Sequence, residues 1–205
     1  MNGSEDKGGS VILELDTERL LLRPLTHDDR DLCVEIGTDP DVMQFVGPVE
    51  KPERIPALMH DLTRRCAEGC IGIWALVGRE TGEKFGTVFL LPMAVEEPDT
   101  EWHLIDGSGL PDREIEIGYH LKKSAWGQGY ATEAASRLIR FAFEQSPLDE
   151  IVAVVDPENT ASARVLQKCG LGSAGPTRAF QTTLPGFRIT RREWADRQLP
   201  GTGPT

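Results

Sequence analysis

The hydrophobic residues of this chain change their spacing several times, and each change marks an element. Residues 17–25 (TERLLLRPL) read as a strand, and THDDRDLCVEIG after them as a short helix, capped by Thr26 or Asp28 and rich in early acids. Asp39-Pro40 marks a break. Across 52–68, Ile55, Leu58, Met59, Leu62 and Cys66 recur at helical spacing, which predicts a second helix with Pro52 in its first turn. Residues 71–78 and 85–92 are apolar runs joined by TGEK, the pattern of an antiparallel hairpin. Residues 94–112 have no period; a loop that long in a compact domain is a substrate-facing lid or a plain insertion.

The clearest pattern spans 114–170. Ile115, Ile117, Tyr119 and Leu121 alternate with Glu114, Glu116, Gly118 and His120, which gives a strand with one apolar and one ionisable face. Gly118 inside it predicts a bulge or a close backbone approach, and a bulge leaves open which side His120 faces. WGQGYAT then opens a helix in which Ala131, Ala134, Ala135, Leu138, Ile139, Ala142 and Phe143 form one face. IVAVV is a strand, and DPENTASARVLQKCGL a short helix with Pro157 in its first turn and Gly170 at its end. Ser162, Val165, Leu166 and Cys169 share a face of that helix. PTRAF, TTLPG and FRITRREW suggest a final hairpin, and no internal repeat is present.

At 205 residues the chain fits one domain, expected over 11–198 between disordered tails at 1–10 and 199–205. Its 39% hydrophobic and 27% charged residues are ordinary globular values, and no apolar run is long enough to span a bilayer. The opening MNGSEDKGGS lacks the apolar stretch of a signal peptide, so a cytoplasmic location without membrane association is expected. Cys33, Cys66, Cys70 and Cys169 read as reduced thiols; Cys66 and Cys70 fit one side of a helix, with no nearby His or Cys pair to complete a metal site. A net charge of -11 argues against a nucleic-acid partner. A small anion is still admitted, because Lys122, Lys123, Arg137 and Arg140 outnumber Glu133 between residues 122 and 140.

Free amides and the positive dipole end at the start of the glycine-turn helix make a phosphate or pyrophosphate site. Two cofactors fit it. In a dinucleotide fingerprint the third glycine falls at Thr132 and an acid closes the next strand, where Asp156 stands. Against that reading, the turn lies deep in the chain and about five residues separate the strand from Gly127. Ser162 is either a buried hydroxyl bonding back to its own helix or a group facing a ligand, and Asn159 either a cap or a ligand contact. Glu114 and Glu116 are either solvated acids of an edge strand or working carboxylates.

The order EIGYHL, WGQGYATEA, PENTASARVLQKCGL resembles the GNAT superfamily of acyl-CoA-dependent N-acyltransferases, in the branch of the ribosomal-protein-alanine N-terminal acetyltransferases. The strong motifs cover 114–171. The resemblance implies an α/β (α+β) fold, a mixed, mostly antiparallel sheet of about seven strands flanked by about four helices, with acetyl-CoA as acyl donor. It places the pantetheine arm beside His120, Leu121 and Lys122, with a backbone N–H near Leu121 polarising the acyl carbonyl. It gives the pyrophosphate to Trp126, Gly127, Gln128, Gly129, Tyr130, Ala131 and Thr132, chiefly through the amides from Gly127 on. Asn159 contacts the pantetheine or orders the site, and Ser162 is the proton donor to the sulfur. Glu116 is the general base, with His120 in reserve. Trp126 departs from the pattern, since many members of the superfamily carry Arg or Gln there, so an Arg-based phosphate contact does not carry over.

The acceptor implied is a primary amine. A glutamate near its ordinary pKa of about 4.3 is a weak base and an α-amine at about 7.7–8.0 is partly deprotonated, which tilts the expectation towards a peptide N-terminus or a small-molecule α-amine. Burial of the glutamate would undo that tilt. Alternatives are a detoxifying transferase for an antibiotic or polyamine, which the acidic composition suits, and an acyl-CoA sensor without turnover on the same fold. A monomer or homodimer is expected. Trp74, Trp102 and the 94–112 loop are candidates for the acceptor pocket.

Overall fold

Alternation in LLLRP sends Leu20 and Leu22 into the core and makes β2 (Leu20–Pro24), which a two-residue strand β1 (Leu15–Asp16) flanks on its outer edge. The computed structural model describes residues 11–107 and 109–198, so the two expected tails lie outside the described residues. Thr26 opens a capping box with Asp29, and the chain turns into α1 (Arg30–Gly37). The Asp39-Pro40 break starts a helix of its own: Asp39 accepts from the amides of Asp41 and Val42, and Pro40 heads the single turn α2 (Pro40–Met43). The helix expected over 52–68 is shorter, α3 (Ile55–Leu62). Cys66 leaves the helical path to bridge Ile71, and Ala67 and Glu68 take left-handed backbone angles, so Cys66 and Cys70 do not share a helix.

The expected hairpin forms as β3 (Gly72–Gly78) and β4 (Lys84–Pro92), followed by β5 (Ile115–Leu121). After the glycine turn come α4 (Tyr130–Gln145), β6 (Glu150–Val154) and α5 (Thr160–Lys168). Pro157 lies in the turn ahead of α5 rather than in the helix, which Asn159 caps. The last hairpin is β7 (Gly172–Ala179) and β8 (Thr182–Thr190), turned at Phe180 and Gln181, both with positive φ. Residues expected to finish that hairpin instead form α6 (Arg191–Gln198), which Thr190 and Glu193 begin with reciprocal bonds.

The sheet has eight strands in the order β1-β2-β3-β4-β5-β6-β8-β7, antiparallel except for β5 against β6. This is the expected α/β class; the short β1 raises the strand count above seven, and α2 and α6 raise the helices to six among the described residues. The core includes the apolar face of α4, with Leu138, Ile139, Phe141 and Phe143 buried. Trp74 is fully buried there, edge-on to Phe141 at 5.8 Å with its indole N–H donating to the Leu13 carbonyl, so it is a core residue.

One buried charge fastens the first layer. Asp29, with no solvent exposure, accepts both Arg23 guanidinium nitrogens at 2.7 Å and the Thr26 amide at 3.0 Å, and Lys84 lies 3.0 Å away. Burial alone would raise this carboxyl, but Arg23, the Thr26 amide and Lys84 together hold it well below the ordinary carboxylate range. Its stabilisation is present above the unfolded carboxylate value of about 3.9 and is lost as pH falls below it. Asp29→Asn should therefore cost about 3 kcal/mol in urea unfolding at pH 7, with the gap to wild type narrowing below pH ~4.

Candidate active site

Strand β5 runs beside β4 in unbroken register from Pro92↔Ile115 to Gly86↔Leu121, so Gly118 makes no bulge. It makes the close approach instead: a Cβ there would come within 2.2 Å of the Phe89 ring. The Lys122 amide donates to Phe85 and the Met93 amide to Glu114, which fixes the parity of the ladder. Residues 116, 118 and 120 point their backbone groups at β4, and Ile117, Tyr119 and Leu121 point theirs at the β6 side. There, β6 pairs with β5 only at Glu116↔Val152. Beyond that point the strands part, and Tyr119 and Leu121 keep amides that no strand claims.

A cavity of about 530 Å³ occupies the parting. Both faces of β5 line it, Glu116 and His120 from one and Tyr119 from the other, so it reaches both sides of the sheet. Ile36, Ile55, Leu58 and Phe89 give it apolar walls, while Asp99 and Trp102 close it from the 94–112 loop. Among the described residues, no Lys or Arg lines it. The loop is stapled to the last hairpin: Arg178 pairs with Glu96 at 2.8 Å, and the Phe180 amide donates to Ala94.

Glu114 is exposed, but Glu116 is buried at 8% exposure on a central strand, which removes the edge-strand reading for it. Its carboxyl has no hydrogen-bonding partner among the described residues, and burial, with the nearby Asp99 charge adding, pushes it up to about 8. His120 packs against Phe89 at 5.3 Å, and burial pushes it down to about 4, so it is a neutral imidazole at pH 7. A base works best with a pKa near the working pH, and by that measure Glu116 is the better matched of the two.

Asn159 does cap α5, its side-chain oxygen accepting from the Ser162 amide at 3.0 Å, and it also faces the cavity. Ser162 does not bond back to its helix. Its hydroxyl lies 2.9 Å from the Tyr119 phenol oxygen, which is 3.1 Å from the Ser162 carbonyl. Tyr119 thus ties α5 to β5 across the parting. The alternation of the strand had marked it only as apolar.

The glycine turn lies at the surface near this opening. Gly127 and Gly129 have φ of +72° and +82°, so glycine is required there by conformation. The amides of Gly127, Gln128, Gly129, Tyr130, Ala131 and Thr132 donate to no acceptor among the described residues, whereas that of Trp126 donates to Lys123; the first α4 amide bonded is that of Glu133, to Gly129. Trp126 and Gln128 buttress the turn, the indole donating to the Leu121 carbonyl and the Gln128 amide group to Ser124, both at 2.9 Å. Arg19, 109 residues earlier, donates to the Gln128 carbonyl at 2.9 Å, pairs with Glu133 at 2.6 Å and stacks on Tyr130, whose other face meets Phe85. No local signal marks Arg19. Lys122 and Lys123, read as part of a basic surface, are engaged elsewhere, with Glu35 on α1 and Asp41 on α2. Lys122 turns its backbone amide to Phe85 and its side-chain charge to Glu35, so neither faces the parting.

Open amides at the turn and along β5, with an apolar cavity beside β5, fit a long ligand with an anionic end, which is the shape of acetyl-CoA. Comparison with known proteins agrees. The model of the acetyltransferase (GNAT) domain matches residues 19–172. An FsC-acetyl coenzyme A-N(2)-transacetylase of Aspergillus fumigatus is 32% identical over 91% of this chain and 80% of its own length. An uncharacterized N-acetyltransferase, p20, of Bacillus licheniformis is 28% identical over 87% of this chain and 97% of its own. The crystal structure of an acetyltransferase from Agrobacterium tumefaciens superposes with a TM-score of 0.67 at 27% identity, covering 91% of this chain and 99% of that one.

The raised Glu116 has a consequence for stability. The native state keeps a proton that the unfolded chain releases above about 4.3, so Glu116 costs stability as pH climbs from there to about 8. Glu116→Gln removes the cost. The variant should melt higher than wild type by on the order of 5 °C at pH 8 and match it at pH 4; an equal offset at both would contradict a raised carboxyl.

Proposed function

The chain belongs to the GNAT acetyltransferase family and is an N-acetyltransferase that uses acetyl-CoA; we propose that its acceptor is the primary amine of a small, positively charged molecule with an apolar body. The observation that carries this reading is Glu116, buried and, among the described residues, without a hydrogen-bonding partner, on the wall of a cavity that no described Lys or Arg lines. A carboxyl held near 8 by burial becomes the favoured carboxylate when an ammonium arrives beside it, and it then accepts the proton that the amine must lose. Apolar walls from α1, α3 and β4 suit the body of the acceptor. The relative named an FsC-acetyl coenzyme A-N(2)-transacetylase supports a nitrogen as the acceptor atom.

Acetyl-CoA supplies the acetyl group as a thioester. In this reading the amides from Gly127 to Thr132, at the dipole end of α4, hold its pyrophosphate. The Tyr119 and Leu121 amides hold the pantetheine arm and polarise the acyl carbonyl, with Asn159 and His120 lining the arm's path. Ser162 donates towards the departing sulfur, and Glu116 is the base. The ground for preferring an α-amine, a weakly basic glutamate, falls away with Glu116 near 8. A peptide N-terminus, which the likeness to the ribosomal-protein branch suggests, is the second reading.

A thiol-release assay against small cationic amines and N-terminal peptides tests the proposal. Turnover should be highest with the small cations. Glu116→Gln should lower kcat about 100-fold near neutral pH while the acetyl-CoA Kd stays within about twofold. Faster turnover of the peptides would favour the second reading, and unchanged kcat in the variant would remove Glu116 as base.

A further inference from the structure

The Tyr119 phenol sits between two acceptors on one residue, the Ser162 hydroxyl at 2.9 Å and the Ser162 carbonyl at 3.1 Å. A phenol has one hydrogen and a carbonyl can only accept, so two arrangements satisfy this geometry. In the first, Tyr119 donates to the carbonyl and the Ser162 hydroxyl donates to Tyr119, leaving only lone pairs of Ser162 towards the cavity. In the second, Tyr119 donates to the Ser162 hydroxyl, whose own hydrogen is then released into the cavity. Ser162 lies in the first turn of α5, and among the described residues its hydroxyl has no partner but Tyr119. Both residues line the cavity.

We propose that Tyr119 and Ser162 form a two-position hydrogen-bond switch that turns the Ser162 hydroxyl from acceptor to donor as negative charge develops on the leaving sulfur. A neutral thioester sulfur is a poor acceptor and makes no demand on the hydroxyl, whereas a thiolate is a strong one and selects the second arrangement. Tyr119 is a positioning residue here: it keeps its own proton throughout and acts through Ser162. Burial raises the phenol above its ordinary pKa, in keeping with a group that donates without ionising. The inference rests on the parting between β5 and β6 being the acetyl-CoA site.

The test uses CoA itself and needs no turnover. The thiol pKa of bound CoA is read from thiolate absorbance against pH, with the desulfo-CoA complex as the blank for tyrosine, in wild type, Tyr119→Phe, Ser162→Ala and the double variant. Wild type should lower the bound thiol by about one unit relative to free CoA, the tenfold that a hydrogen bond to an ionised group supplies. Each single variant should lose that shift, and the double variant should lose no more than either, the mark of residues acting as one unit. With acetyl-CoA and an amine, kcat should fall about tenfold in each single variant with the acetyl-CoA KM unchanged. A wild-type thiol pKa equal to that of free CoA, a Tyr119→Phe value equal to wild type, or losses that add in the double variant would overturn the switch. Failure of CoA to bind wild type would overturn the site reading and the switch with it, whereas binding with an unshifted thiol would overturn the switch alone.

Discussion

Because β5 is laddered to β4 from end to end but to β6 at one residue, its outer amides after Ile117, those of Tyr119 and Leu121, stay free among the described residues where three other features converge. Glu116 stands on one face at the parting, Tyr119 reaches α5 from the other, and the glycine turn that opens α4 follows a few residues on. Gly118 sustains the asymmetry. It lets the Phe89 ring pack flush against β5, so the strand holds to β4 without a side chain prying the two apart. On the other flank, β6 is committed to β8 over Glu150↔Thr190 to Val154↔Gly186, and it leads away into α5. A sheet that closed this seam would satisfy more backbone groups and leave no cavity there.

Charge is divided along the same seam. The cavity side holds a carboxyl near 8 and an imidazole near 4, both moved by burial towards their neutral forms. The turn side presents backbone amides and a helix dipole, which need no counter-charge and cost nothing to reorganise. Three cations near the turn are held in pairs, Arg19 with Glu133, Lys122 with Glu35 and Lys123 with Asp41, and these pairs fasten the turn and its flank to the residue before β2, to α1 and to α2. A chain with net charge -11 can therefore receive an anionic cofactor without an overall basic surface.

Periodicity made the scaffold legible: β3, β4, β5, α4 and α5 lie where alternation and helical spacing put them, and the motif order within 114–171 indicated the family. Missed features were those decided by tertiary contact. Cys66 has helical spacing from Leu62, yet it turns off to bridge Ile71. The terminal FRITRREW divides between β8 and α6, because polar residues without a strong period carry no sign of where a strand stops. Tyr119 reads as an apolar strand residue, since alternation records which face a side chain takes and is blind to a hydroxyl at its tip. Arg19 meets the glycine turn across 109 residues of sequence, a distance over which no local pattern speaks. Lys122 and Lys123 counted as free positive charge only while Glu35 and Asp41 were out of sight.

The central claim is that acetyl-CoA lies from the glycine turn into the parting between β5 and β6. Backbone amide resonances, followed as acetyl-CoA is titrated into labelled protein, address that directly, because the amides named here are reporters at known places. The account predicts saturable shifts concentrated at Gly127, Gly129, Thr132, Tyr119 and Leu121, with NADH producing none of them. Shifts confined to other strands, or NADH reproducing the acetyl-CoA pattern at the turn while Tyr119 and Leu121 stay still, would contradict it.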